Sequence, residues 1–487
     1  MANTKHDFPH VKEVAEALHG KVPYVELLEP CSIHKGVHNI DVDGSAQDFF
    51  ALMADKSFRY KTVVRFVPAS GAASRMFAFL YENADENNKA LQRFFQALPN
   101  FAFYPLLKEK AQEKGMDICS IIAQKDRDSL LYLLGAEGLT YLSSAKGAIP
   151  FHKSEQGVPI TAFEEQIVES IAVLQDTNEP VRVHFSLPYS QHQALSAQLK
   201  ERKKSIEKHF NTGFSLAYSD QLPSTDVPCL LVEADALLRD ENGELVMRPG
   251  GHGALLHNVN ELQEDIVFIK NIDNVVHQKY LPLQVKHKQA LAGFLLKNVQ
   301  KIQHYLKEID LGNFEKILPE MKIFVRPFFL NENALADSTE AYFAFLNRPI
   351  RVCGVVQNTG ANGGGPFWVR QKNGVASLQI VEKIQINLQD PAQKKIFEAA
   401  AFFNPVDIVA YTTDFKGVKF DLTEYTDKEV FFISEKKYKS STIRIFEHPG
   451  LWNGSMADWL TFFVQVPIET FNPVKTVNDL LDKHHQI

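Results

Sequence analysis

The chain reads as an α/β protein built on a largely parallel sheet with crossover helices, and three stretches carry that expectation. Residues 62–67, TVVRFV, form an apolar, β-branched run that passes through a loop of small residues into the apolar, helix-like segment 76–80. Residues 181–187 alternate as a strand and are followed by a helical pattern over 191–208. Residues 265–274, DIVFIKNIDN, make a largely apolar strand that ends in Asn271, Asp273 and Asn274. In open sheets of this class ligands gather at the carboxyl ends of strands, which directs attention to the small-residue loop and to Asp273.

The loop holds Ala69, Ser70, Gly71, Ala72 and Ala73, with Arg75 at its end. Small residues let a backbone approach a ligand closely, and the first N–H groups of a helix favour an anion such as phosphate. Arg75 adds a charge that does not titrate. The competing reading is an ordinary strand-to-helix turn. Composition narrows the ligand classes. A net charge of −7 over 487 residues and a pI near 6.2 give no basic footprint for nucleic acid. No apolar run reaches the ~18 residues that would span a bilayer, and the start MANTKHDF has no basic-then-apolar leader, so a cytoplasmic location is expected. Four scattered cysteines with no CxxC pair suggest neither a zinc site nor a disulfide framework.

Before the first strand, helical patterns at 11–18 and 46–53 flank a loop around 30–44. The DVDG at 41–44 reads as a turn, because its glycine falls too early for an EF-hand loop and no glutamate closes it. Residues 77–135 read mostly as helices, and 138–153 return to small residues around Lys146. Residues 161–174 mix acidic and apolar residues at helical spacing. RPGGHGALL at 248–256 sets glycines around His252, with Gly251 and Gly253 on either side, and His257 close behind lacks the cysteine pair a zinc site would want. Residues 278–309 form a basic amphipathic helix, and 321–329 look like a strand. Residues 351–369 are two strand-like runs joined by a glycine-rich loop, either a hairpin connection or a ligand lid carrying Phe367 and Trp368, with Asn358 as its best-placed polar contact. Residues 378–386 alternate as a half-buried strand carrying Glu382 and Lys383, of which one normally faces a given ligand. The apolar run 460–466 and FNPVKTVNDLL at 471–481 close the chain.

Taken in order, these stretches resemble the sugar nucleotidyltransferases, the GT-A-like superfamily that includes the UDP-sugar pyrophosphorylases. Ser70-Gly71-Ala72-Ala73-Ser74-Arg75-Met76 is similar to the family's glycine-rich G-x-G-T-R-M loop, with Ser70 and Ala73 where the family has glycines. Lys146, between Ala145 and Gly147, resembles its Pro-Lys-Gly lysine. Gly251-His252-Gly253 looks like its glycine turn, Asp273-Asn274 its strand-end pair, Glu382 its sugar-contacting glutamate and Lys475 its late lysine. The resemblance spans most of 62–481, and the whole looks most like a bacterial domain-of-unknown-function family. It implies a GT-A-like, Rossmann-type three-layer mixed sheet with a helical insertion at 77–135 and C-terminal additions. The implied organisation is an N-terminal helical extension 1–60, a catalytic core 61–430 and a C-terminal segment 431–487 that completes the active site.

The implied reaction is attack by a sugar 1-phosphate on the α-phosphate of a nucleoside triphosphate, giving an NDP-sugar and pyrophosphate with Mg2+ as cofactor. In that scheme Arg75 and Lys146 hold the pyrophosphate, Lys475 the attacking phosphate and Asp273 the metal. The loop 69–73 and the 251–253 turn hold the nucleotide, and Glu382, Lys383 and Asn358 face the sugar. A GT-A-like glycosyltransferase is one alternative, although the strand end reads NIDN instead of Asp-x-Asp. A non-catalytic nucleotide or NDP-sugar binding protein is the other. A P-loop kinase or classical dinucleotide enzyme is disfavoured, since neither GxxxxGK[ST] nor GxGxxG occurs.

Overall fold

A strand run without polar alternation has to be covered on both faces, and the Val63–Pro68 strand meets that demand with all six residues buried, the ion-paired Arg65 among them. The computed structural model describes residues 11–20, 22–55, 62–69, 71, 73–81, 88–175, 177, 180–221, 225–331, 335–360, 364–371, 374–438, 441–448 and 450–487. It is a mixed α/β protein with multi-stranded sheets, and its chain divides into two units. One holds residues 1–41, 221–266 and 291–466, the other 42–220, 267–290 and 467–487. Among the described residues no helix is long and apolar enough to cross a membrane.

In the unit that holds the small-residue loop, the strands run in the order Ile266–Ile269, Val63–Pro68, Val181–Leu187 and Phe214–Asp220. Val63–Pro68 pairs parallel to Val181–Leu187, which pairs parallel to Phe214–Asp220. The helices Ala162–Leu174 and His192–Phe210 connect consecutive strands, as a parallel sheet requires. Ala162–Leu174 starts on a capping box, Thr161 accepting from the Glu164 amide while Glu164 returns the contact. A cluster of aromatic rings, Phe77, Phe94, Phe101, Phe103 and Tyr141, packs the 3-10 helix Ala73–Leu80 against the helices of residues 89–134.

The other unit carries a run of strands in the order Ser32–Ile33, Gly36–His38, Leu460–Gln465, Ile350–Gln357 and Phe402–Tyr411. It also holds an antiparallel sheet of Leu27–Pro30, Gly364–Arg370 and Ala376–Glu382.

Several sequence expectations change here. Residues 314–325 form a helix followed by the 3-10 turn Arg326–Phe328, where a strand was expected over 321–329. Phe314, Ile317, Met321 and Val325 are its buried residues, so helical spacing prevails over the β-forming residues of MKIFV. The DVDG stretch opens the helix Val42–Ala54 instead of a turn. The strand expected over 265–274 spans only Ile266–Ile269. The two runs of 351–369 are no hairpin, since Ile350–Gln357 pairs with Phe402–Tyr411 and Leu460–Gln465, and Gly364–Arg370 belongs to the other sheet. Phe367 and Trp368 are buried strand residues, so they are not the aromatics of a lid.

Candidate functional site

The small-residue loop is braced from beneath. Ala69 donates its N–H to Ser186, whose backbone and hydroxyl oxygens lie 3.1 and 3.2 Å away. Ala73 donates to the Ser144 carbonyl at 2.9 Å, and the Lys146 N–H donates to the Gly71 carbonyl at 3.0 Å. The amides of Ala69 and Ala73 are therefore engaged, and the loop's described role is to fix the turn that carries Lys146. Ser70 and Ala72 lie outside the described residues. Arg75 is exposed on the 3-10 helix Ala73–Leu80, where an α-helix start was expected.

From that turn the Lys146 Nζ reaches Asp273 Oδ2 at 2.9 Å and donates to the Val474 carbonyl at 2.6 Å. Lys475 approaches the same oxygen at 3.3 Å. Residues 127 and 202 positions apart thus converge on one carboxylate. The turn after the Ile266–Ile269 strand presents Asp273, and the C-terminal segment clamps that turn. Val474 N–H donates to the Asp273 carbonyl at 3.0 Å, and Asn472 N–H donates to Asn274 Oδ1 at 2.8 Å.

Burial raises the Asp273 pKa, but the charges and hydrogen bonds of Lys146 and Lys475 outweigh it and hold the carboxyl below its ordinary value. Asp273 is 7% exposed, and its Oδ1 is buried without a hydrogen-bond partner. Two ammonium groups against one carboxylate leave a local charge of +1. The Lys475 side chain is 64% exposed, so it can leave Asp273 for an incoming anion.

Behind this centre lies a charge network that sequence reasoning missed. Glu169 accepts from Arg65 at 2.9 Å, and the ammonium groups of Lys270 and Lys288 each lie 3.0 Å from it, all with side chains 3% exposed or less. Gln166 donates to the Asn271 carbonyl at 2.9 Å, and Lys270 also contacts Gln284, which donates to the Glu469 carbonyl. Burial would raise the Glu169 pKa, but Lys270, Lys288 and Arg65 drive it far below the carboxylate range. The available signal was FEEQIVESIAVL, in which acidic residues interrupt an otherwise apolar helix all around its circumference.

The remaining sequence candidates belong to the other unit. Gly251 has φ +81°, a conformation that favours glycine, and a Cβ there would lie a tight 3.0 Å from the Glu447 Cβ. His252 opens the 3-10 helix His252–Ala254, and its side chain lies outside the described residues. The 450–457 loop joins this turn to Glu382. Ser455 Oγ lies 3.5 Å from the Gly253 carbonyl, and Asn453 Nδ2 lies 3.3 Å from Glu382 Oε1. Burial raises the Glu382 pKa despite a hydrogen bond from Trp452. Lys383 begins a 3-10 turn after the strand has ended at Glu382 and is exposed, so the strand alternation expected of the pair does not continue through it. Lys383 and Asn358 line a cavity of about 500 Å3 with Gly364, Lys394 and Phe402. The Asn358 amide is engaged, donating to the Ala400 carbonyl at 2.9 Å and accepting from the Gly360 N–H.

Fold and geometry together define an α/β protein with a lysine-flanked carboxylate on the turn that follows a strand. The chain belongs to the DUF4301 family, described as a domain of unknown function, whose model matches residues 1–486. No curated protein matches it. Among solved structures it is similar to UDP-glucose pyrophosphorylase from Leishmania major, in a mutant form, at 13% identity over 97% of this chain and 73% of that one, with a TM-score of 0.44. A second mutant of that enzyme, in complex with UDP-glucose, is similar at 13% identity over 96% and 74%, with a TM-score of 0.43. A UDP-glucose phosphorylase from Trypanosoma brucei is similar at 14% identity over 98% and 77%, with a TM-score of 0.45.

Proposed function

We propose that this protein is a sugar-1-phosphate nucleotidyltransferase of the GT-A-like, three-layer type. An oxygen of the sugar phosphate attacks the α-phosphorus of a nucleoside triphosphate, one P–O bond forms, the bond to the β-phosphate breaks, and pyrophosphate leaves. The observation that carries the reading is the meeting of Lys146 and Lys475 on Asp273. Bringing two anions together is the difficulty of this reaction, and positively charged donors with a fixed aim are what it needs most. In this reading Arg75 and Lys146 hold the leaving pyrophosphate and Lys475 the attacking phosphate.

In this reading a magnesium ion would be held by Asp273. Its unpartnered, buried Oδ1 is the oxygen such an ion would take. Among the described residues no group of three or more His, Cys, Asp or Glu could hold a metal by itself, so phosphates and water would complete the shell, as magnesium favours. When bound, it would neutralise charge on the phosphate oxygens.

The test is incubation with each nucleoside triphosphate against a panel of sugar 1-phosphates, reading pyrophosphate release. Turnover with one pair is the expected result. Saturable nucleotide binding with no turnover across the panel would leave a non-catalytic binding protein instead.

A further inference from the structure

The segment that delivers Lys475 is a strap laid along residues 273–277. Thr470 accepts from Asn274, Val474 bonds the Asp273 carbonyl, and the His277 N–H donates to the His484 carbonyl at 2.8 Å. Asp479 holds the bend between, accepting from the amides of Lys475 and Thr476. Val474, Val477 and Leu480 anchor it with buried side chains.

The far end of the strap closes on a buried chain of three titratable groups. Glu165 Oε1 lies 2.7 Å from His152 Nδ1, and His152 Nε2 lies 2.9 Å from His485 Nδ1. The two imidazole centroids lie 5.2 Å apart with their planes 24° from parallel, so the rings meet edge to edge along that bond. His152 is 1% exposed, Glu165 3% and His485 4%, and a small cleft of about 180 Å3 adjoins them. Only one proton can occupy the short gap between the two ring nitrogens. If both imidazoles are charged, that hydrogen bond is lost and two like charges face each other in a dry site.

We infer that His152 and His485 are positioning residues that seat the C-terminal strap, and with it Lys475, only while at least one of them is neutral. The neighbouring groups do not change this. His277 accepts from the Lys279 N–H at Nδ1, and its Nε2 lies 2.9 Å from the Lys153 carbonyl. Glu164 is capped by Thr161 and bonded to Arg202, and Glu169 is bonded by Arg65, Lys270 and Lys288. On the strap itself Asp479 binds backbone amides, Asp482 pairs with Arg93, and the His484 ring packs on Tyr280.

Burial is the main cause that lowers both histidines to about 3, His277 adding to it for His152 and His152 for His485. An unseated strap returns its histidines toward 6.5, so below that pH the unseated form binds more protons and acid favours release. Burial raises Glu165 to about 8, which runs the opposite way. Its ionisation leaves the His152–His485 bond intact, because the proton then sits on His152 Nδ1 and His485 donates to Nε2.

Hydrogen exchange over 470–487, corrected for the intrinsic pH effect, reads the seating without needing turnover. In a Glu165→Gln background, which removes the opposing titration, the strap should lose protection between pH 7.5 and 5.5 by about tenfold for each histidine that titrates on release. His485→Asn keeps a neutral partner for His152, so it should stay protected at pH 7.5 and show a shallower pH dependence. His485→Ala should be unprotected at both pH values. A Glu165→Gln strap equally protected at both pH values overturns the inference, as does a His485→Ala strap as protected as the wild type. The use made of Lys475 rests on the proposed reaction. Normal strap behaviour in a protein without turnover would therefore count against that reaction and leave the latch standing.

Discussion

Two buried carboxylates in the same unit are each held by lysines, and they are built for opposite ends. Glu169 has both oxygens taken, by Arg65 and Lys288 on one and Lys270 on the other, and none of these side chains reaches solvent. Asp273 has both its lysines on one oxygen, leaves the other unpartnered, and one of those lysines is largely exposed. A saturated buried carboxylate has nothing to offer a ligand and locks helix to sheet. A half-satisfied one with a movable cation is poised to exchange partners. Charge alone does not separate a structural network from a candidate site; the count of open atoms and movable groups does.

The widest gap between the two should appear on substitution of Glu169. Glu169→Gln leaves three cations buried without their anion, and breaking such a network costs about 3–5 kcal/mol. The thermal midpoint should fall far enough to lower the yield of folded protein. A Glu169→Gln variant with wild-type thermal stability would show that the network is not the lock described.

Lys475→Ala comes next, because it touches the movable half of the site. If Lys475 neutralises the attacking phosphate, kcat/KM should fall at least ~100-fold, the scale of losing one well-placed donor. The loss should fall on kcat more than on nucleotide affinity, because the contact strengthens as the phosphates converge. Its high exposure means that stability should be nearly untouched. An unchanged kcat with the fold intact by circular dichroism would return the lysine to the surface.

The contrast also marks what the sequence could show. Local signals transferred well: the strand at 181–187 is found with those limits, and the helix expected over 161–174 starts on Thr161 as its cap. Asp273 was singled out by its place near the carboxyl end of a strand, Lys146 and Lys475 by their place in ordered motifs, and the structure brings both lysines onto one Asp273 oxygen. Glu169 was invisible because its partners Arg65, Lys270 and Lys288 lie on a strand, a strand end and a distant helix. No spacing rule joins such elements. His152 and His485 are 333 positions apart and were passed over for the same reason. Phe367 and Trp368 were misread because glycines beside aromatics suit a lid and a buried strand equally, and only pairing decides.

Asp273→Asn should give the smallest change in the fold and the sharpest test of the comparison. The substitution keeps the shape, removes one charge and leaves Lys146 its bond to the Val474 carbonyl. Stability should drop less than in Glu169→Gln, since Lys475 can turn to water. The carboxyl is held below its ordinary range, so its stabilising effect is present above the unfolded value and is lost only as pH falls through the lowered one. Between pH 5 and 8 the charge is constant, and the variant should differ from wild type by a constant amount across that interval. If Oδ1 is the magnesium oxygen, the variant should need more magnesium for half-maximal turnover, by about tenfold for each 1.4 kcal/mol of lost binding. Full activity at limiting magnesium would remove Asp273 as a ligand and leave it an anchor for two lysines, a second Glu169 with an open side.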